Sequence, residues 1–289
     1  MKTESKGMLL GLLGVALFSL TLPATRMALE SFDPLFVATG RASLAAFLAA
    51  IYLLLGKHRF PNTTELKYLL LVIMGVCFGF PIFTALAMQH VDASHGGVML
   101  GIMPLTTAAA GAFLFKERPS IGFWVMAFIG SALVIGFSLI RGSGSLQWAD
   151  LALLLAVVTG SVAYATGGYL SKTLGGLQVI SWALVLTSPV LIIIASNHTP
   201  PEFSAVTIRG WIGFIYAALV SQYLGFLPWF RGMALGGIAR VGQTQLVQPF
   251  FTLIASALLL GETLDSTTVL FAIAVFFVVA SGRYFNIKR

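Results

Sequence analysis

Charge is what this chain has least of: only 9% of its 289 residues are Asp, Glu, Lys or Arg. A soluble domain usually carries about 25%, so most of this surface is built to face lipid rather than water. Cysteine is nearly absent as well. Cys77 is the single one, which excludes an intrachain disulfide or a cysteine-built metal site and makes it a small packing residue. The four histidines, His58, His90, His95 and His198, are dispersed. The ten acidic residues (Glu4, Glu30, Asp33, Glu65, Asp92, Glu117, Asp150, Glu202, Glu262 and Asp265) all fall in loops or near the ends of apolar runs. There is no His-Glu-x-x-His, no phosphate-cradling glycine loop and no clustered nucleophile and base, which argues against an enzyme and against any cofactor. No carboxylate sits where a mid-membrane proton relay would place one, so facilitated transport or exchange is expected rather than proton coupling through a buried acid. A charged ring or filter motif, the mark of a channel, is also missing.

What the chain has in abundance is apolar sequence, 58% of its residues, with a mean hydropathy of +0.94. A bilayer-spanning helix needs ~20 mainly apolar residues. Runs of that kind occupy 7–28, 34–55, 66–88, 95–115, 120–140, 148–171, 177–196, 207–230, 236–260 and 266–284. Ten spans with short connections leave no room for a soluble domain, and the expected fold class is an all-α membrane protein.

The formal charge of +7 does not point to nucleic acid, because the cations are scattered singly instead of clustered on one face. Their pattern is topological. With a cytoplasmic N-terminus, 13 of the 17 basic residues lie on the inside, and only Arg26, Arg141 and Arg209 fall in periplasmic segments, Arg41 being within the second span. That is the positive-inside bias, and it places both termini in the cytoplasm and the protein in the inner (plasma) membrane. Lys2 and Lys6 followed by Met8–Leu22 could also be read as a signal peptide, but the charge split and an internal repeat both need this segment retained as the first span.

The repeat is visible in residues 97–117, GVMLGIMPLTTAAAGAFLFKE, against 242–262, GQTQLVQPFFTLIASALLLGE. At an offset of 145, Gly97, Pro104, Thr107, Ala110, Ala112 and Glu117 match Gly242, Pro249, Thr252, Ala255, Ala257 and Glu262. Upstream, Gly79-Phe80 matches Gly225-Phe226, with one residue inserted. The repeat unit is therefore five spans, 1–142 against 143–289, and an odd number of spans inverts the second copy. The loops agree: Lys116-Glu117-Arg118 is basic, whereas Gly261 to Asp265 has no cation. Inverted repeats are a transporter architecture, with the substrate site at mid-membrane between them.

Three features together, Phe115-Lys116-Glu117-Arg118 with its counterpart Leu260-Gly261-Glu262-Thr263, the stretch from Pro34-Leu35 to Arg41-Ala42, and the mid-helix prolines Pro104 and Pro249, resemble the drug/metabolite transporter superfamily, in its EamA-type ten-helix branch. The resemblance covers essentially the whole chain. It implies movement of amino acids, related metabolites or drugs by alternating access. Where the family usually has Trp-Gly in the first helix this chain has Phe18-Ser19, and Tyr164-Ala165 replaces a Trp-Ala pair in the sixth.

Polar residues inside spans are the candidate substrate contacts. Gln243, Gln245 and Gln248 precede Pro249, whose missing N–H frees a carbonyl about one turn earlier, and a broken helix lined by amides suits a zwitterion. Their matches in the fourth span are Val98, Leu100 and Met103, with Met99 beside them, so one wall is polar and the other apolar. Ser19, Thr21, Ser161, Tyr164, Gln222 and Tyr223 could complete the pocket, with Phe80 and Trp229 as packing or gate residues. Arg41 has two readings: a cation for an anionic or carboxylate-bearing substrate, or a structural residue pairing with Glu30 or Asp33. That the family shares this arginine across different substrates favours the second. Glu117 and Glu262 read as caps, His95 as a satisfied interfacial residue, and the pairs Gly97/Gly101 and Gly232/Gly236 as points of close helix approach. The expected activity is export of a small amphipathic metabolite by a monomer. A lipid or polyprenyl-carrier flippase is the alternative, kept open by Arg26 and Arg41.

Overall fold

The computed structural model describes residues 3–56, 58–115, 118–141, 146–282 and 287–288. Eight helices are long and apolar enough to cross a membrane: α1 (Ser5–Leu29), α2 (Pro34–Leu55), α3 (Thr63–Ala87), α4 (Ala93–Phe115), α6 (Trp148–Leu170), α7 (Gly176–Ser196), α8 (Ile208–Gly236) and α9 (Arg240–Leu260). Two more, α5 (Ile121–Arg141) and α10 (Ser266–Gly282), carry shorter apolar stretches. Ten crossings bring the first and last helices back to one side, here called the terminal face; the other is the far face.

The helix starts are written in local chemistry. Asp33 accepts from the Leu35 and Phe36 amides while Pro34 occupies the first turn of α2, where its missing donor does no harm. At α3, Asn62 and Glu65 form a reciprocal capping box, and Arg59 clasps the Glu65 carboxylate with two hydrogen bonds of 2.7 and 2.8 Å. At α6 the Asp150 carboxylate likewise reaches back to accept from the Gln147 amide at 2.9 Å. Large side chains such as Phe47, Leu54, Phe128, Leu258 and Phe277 point outward, whereas the α2 face formed by Ala38, Ala42, Ala45 and Ala49 is fully buried and lies along α7.

The two five-helix repeats are inverted relative to each other, and the packing carries the inversion. The first half of α4 lies against the second half of α9, and the second half of α4 against the start of α9, so these matched helices run antiparallel through the centre. The pairs α1–α8 and α6–α3 are equivalents under the same relation, and α2–α7 and α5–α10 join matched helices directly.

Two local departures were not expected. Residues Ile73–Gly79 of α3 and Tyr216–Leu224 of α8 are wound as π-helix, at matched positions in the two repeats. A third irregularity falls where Pro249 predicted it: Gln243–Val247 tightens into a 3₁₀ turn, mirrored by the break at 101–102 before Pro104.

The eighth helix also runs further than the predicted 207–230, ending at Gly236, where Gly237 turns the chain at φ +88°. Gly232 and Gly236, read as points of close helix approach, press against α1. A Cβ on Gly232 would stand 2.8 Å from the Gly7 carbonyl and 2.9 Å from the Gly11 amide, both of them backbone. Gly97 similarly faces Thr252 across the α4–α9 contact.

Backbone cannot yield as a side-chain tip can, so Gly232→Leu is expected to force α1 and α8 apart and cost roughly 1–3 kcal/mol or more. Gly136→Ala, at a helical position with open space around it, should be neutral or slightly stabilising. Thermal unfolding of the two purified variants in detergent checks both; equal melting temperatures would contradict this packing.

Candidate functional site

Where the two halves meet, α1, α2, α3, α6, α8 and α9 enclose a cavity of about 20 Å³. Its lining is largely paired by the inversion. Phe18 stacks near Tyr164 with ring centroids 6.0 Å apart, and Phe80 and Phe226 stand at matched positions, as do Val76 and Gln222. The pairing is broken chemically in three places: Gln222 stands where the other half has Val76, Gln248 where it has Met103, and Arg41 enters from α2 alone. The outcome is a lining that is part aromatic and part polar.

Arg41 is 2% exposed. Its Nε donates to Gln222 Oε1 at 3.0 Å and Nη2 to Ser221 Oγ at 3.3 Å. Gln222 passes the chain on, Nε2 donating to the Val76 carbonyl at 2.9 Å. Val76 lies in the π-wound part of α3, where the shifted ladder leaves a carbonyl for a side chain; such bulges recur at functional sites. Thr21 and Ser221 share a hydrogen bond of 2.7 Å at the same seam. Neither acidic partner considered for Arg41 is used. Glu30 pairs with Arg209 at 3.2 Å and Asp33 caps α2, both at the helix ends, beyond reach of a guanidinium two turns in.

Toward the far face the cavity is closed by ionic contacts. Glu262 accepts from the Ala93 and Ser94 amides at 2.8 and 2.9 Å, so a carboxylate of the second repeat caps α4 of the first. Arg26 lies between Glu262 and Asp92 and also donates to the Val91 carbonyl. The expected capping role of Glu262 is met across the repeats rather than within its own helix; Glu117 lies outside the described residues. His95 meets Asp150 at 2.7 Å, both buried. Toward the terminal face a crevice of about 510 Å³ opens between α2, α7 and α8, lined among others by Tyr52, Lys172, Gln178 and Arg231. One turn further in, Tyr223 and Ser181 join at 2.9 Å between crevice and cavity.

Of the residues singled out from sequence, Arg41, Thr21, Tyr164, Gln222 and Gln248 line the cavity together, with Phe80, read as a packing or gate residue, beside them. The others lie off it. Ser19 bonds the Val15 carbonyl, Ser161 bonds Thr106, Met99 accepts from Ser138, and Tyr223 holds Ser181. Gln245 is 2% exposed with both amide atoms unpartnered, and Gln243 Oε1 and the Trp229 indole nitrogen are unpartnered too. Phe18, Val76, Gly160, Ser221 and Phe226 line the cavity without having been singled out for it. The inserted residue that shifts the offset to 146 held the signal: it pairs Phe18 with Tyr164, Val76 with Gln222 and Phe80 with Phe226.

Comparison with known proteins follows the same division. The EamA-like transporter family model matches residues 5–140 and again 147–281. A protein of Bacillus subtilis named "Uncharacterized transporter YdeK" is 43% identical over 285 residues, 99% of each chain. One of Salmonella typhimurium, named "Probable amino-acid metabolite efflux pump", is 26% identical, covering 96% of this chain and 93% of its own. A crystal structure with 16% identity superposes with a TM-score of 0.69 over 96% of this chain and 97% of that one, a likeness of fold.

Removing the Glu262 side chain would leave two amide donors at the start of α4 without their charged acceptor. Such losses cost about 1–3 kcal/mol, so Glu262→Ala is expected to lower the melting temperature clearly. Asp92→Asn, at a side chain 61% exposed, should change stability by less than about 1 kcal/mol. Equal effects of the two substitutions would contradict the cap assigned to Glu262.

Proposed function

The chain belongs to the EamA-like transporter family, and from that premise we propose that it carries a small amphipathic metabolite by alternating access, exporting it across the inner membrane. The observation that carries this reading is the small cavity at the seam of the two repeats, lined by aromatic and polar side chains of both. A solute seated there touches both halves, so rocking residues 1–142 against 143–289 about it would open one face while closing the other. The ionic seal at the far face and the open crevice at the terminal face fit one stage of such a cycle.

The orientation follows from charge. The terminal face carries Lys6, Arg59, Lys67, Lys172, Arg231 and Arg240, whereas Glu30, Asp33, Asp92, Asp150, Glu202, Glu262 and Asp265 gather at the far face. Under the positive-inside rule the terminal face is cytoplasmic, and the crevice is then where cargo enters for export. The naming of the Salmonella relative for amino-acid metabolite efflux supports the direction. Both repeats contribute to the one cavity, so a monomer suffices. Flipping of a lipid or polyprenyl carrier is the second reading, supported by Lys172 and Arg231 beside the open crevice.

The test is efflux of radiolabelled amino acids and nucleosides from proteoliposomes. Wild type is expected to move at least one member of the panel. Gln248→Ala, which removes one cavity hydrogen-bonding group, should slow it about tenfold at low substrate concentration. No movement of any member, together with rapid loss of leaflet asymmetry for a fluorescent lipid, would replace metabolite export with the flippase.

A further inference from the structure

Arg41 is a cation without a counter-ion. A guanidinium stays charged in any protein setting, and a buried charge is tolerated when it is paired. Both hydrogen bonds that Arg41 makes go to neutral oxygens, those of Gln222 and Ser221. Among the described residues no carboxylate lies within ion-pair distance of it. The acids that neighbouring helices carry are already committed at the far face, Glu30 to Arg209, Asp150 to His95, and Glu262 to Arg26 and the α4 amides.

The rest of the cavity narrows what the missing anion is. Phe18, Phe80, Tyr164 and Phe226 line it, and aromatic side chains suit a flat apolar body. No acidic side chain lines it, so an ammonium group would find only amide and hydroxyl oxygens. At about 20 Å³ the closed cavity has room for about one water molecule, and cargo must enter as the halves part. The crevice through which it would come bears Lys172 and Arg231, neither within ion-pair distance of a carboxylate among the described residues. Cations at a cleft mouth raise the local concentration of anions.

We propose, resting on the carrier reading above, that the cargo is an organic monocarboxylate with a flat apolar body. Its carboxylate supplies the counter-ion that Arg41 lacks, displacing the neutral oxygens of Gln222 and Ser221, and an ammonium group on the cargo is dispensable. Between cargoes, those two oxygens hold the guanidinium in place.

The experiment compares binding of 3-phenylpropionate, 3-phenylpropionamide, 2-phenylethylamine and L-phenylalanine to the purified full-length chain by calorimetry, for wild type, Arg41→Gln and Arg41→Lys. Wild type is expected to bind the carboxylate at least about tenfold tighter than the amide, to hold phenylalanine no tighter than phenylpropionate, and to show no binding of the amine. Arg41→Gln should erase the preference for carboxylate over amide, and Arg41→Lys should keep part of it. Equal affinity for the acid and its amide in wild type would overturn the proposal without any variant, as would tightest binding of the amine. A preference that survives intact in Arg41→Gln would also overturn it. Counterflow of the mixed amino-acid and nucleoside panel in the same proteoliposomes separates the two readings. If a neutral or zwitterionic solute moves while phenylpropionate neither binds nor moves, the carrier stands and the anion assignment falls.

Discussion

No water reaches the hydrocarbon core of a bilayer to solvate a stray carbonyl or amide, so a carbonyl freed by a departure from α-winding at the centre of this protein needs a partner within the protein. The π-wound segment of α3 frees the Val76 carbonyl; Gln222, itself on the π-wound segment of α8, donates to it, and Arg41 donates to Gln222. This chain of bonds runs from α2 through α8 to α3 and so crosses the seam between the repeats twice. The same irregularities that break the ladders hold the halves together and draw polar groups to the cavity. Regular helices would have needed none of them.

Symmetry builds this cavity and asymmetry gives it chemistry. Matched aromatic residues on α1 and α6, and on α3 and α8, supply equivalent parts of the lining from the two repeats. The polar groups obey no such pairing. Gln222 and Gln248 stand where the other repeat has Val76 and Met103, and Arg41 enters from α2 alone, so under the proposed carrier reading the polar groups would orient a solute. The glycines of α1 and α8 serve a separate purpose: Gly7 and Gly11 against Gly232 allow backbone to touch backbone, giving the halves a tight contact that carries no polar group.

Much of the fold is legible in the residues. Apolar run length sets ten crossings, the offset of 145 between Pro104 and Pro249 exposes the duplication, and an odd number of crossings per copy inverts it. The family assignment rests on the same marks. The cavity is legible only in part. Gln222, Gln248, Tyr164, Thr21 and Arg41 stand out as polar groups in apolar runs, and the structure gathers them. Ser19, Ser161 and Tyr223 stand out equally and lie elsewhere, because a hydroxyl in a helix can bond a carbonyl four residues back, as Ser19 does to Val15, or a neighbouring hydroxyl. Met99 likewise turns to Ser138. The π-windings leave no mark in composition, and they rotate the residues beyond them, so face assignments from simple helical periodicity miss Ser221 and Phe226. That Arg26 meets Glu262 and Asp92 while Arg41 meets only the neutral oxygens of Gln222 and Ser221 depends on contacts between residues far apart in the chain.

The central claim is that the far face opens as the crevice at the terminal face closes, the two motions being one. Pulsed electron–electron resonance between spin labels measures this most directly, one pair at His90 and Thr263 across the far-face seal and another at Leu55 and Leu235 across the crevice, in a Cys77→Ala background. Addition of a transported solute is expected to lengthen the first distance and shorten the second in the same fraction of molecules. If either distance changes while the other stays fixed, the two halves do not move as rigid partners about a shared cavity, and the account is contradicted.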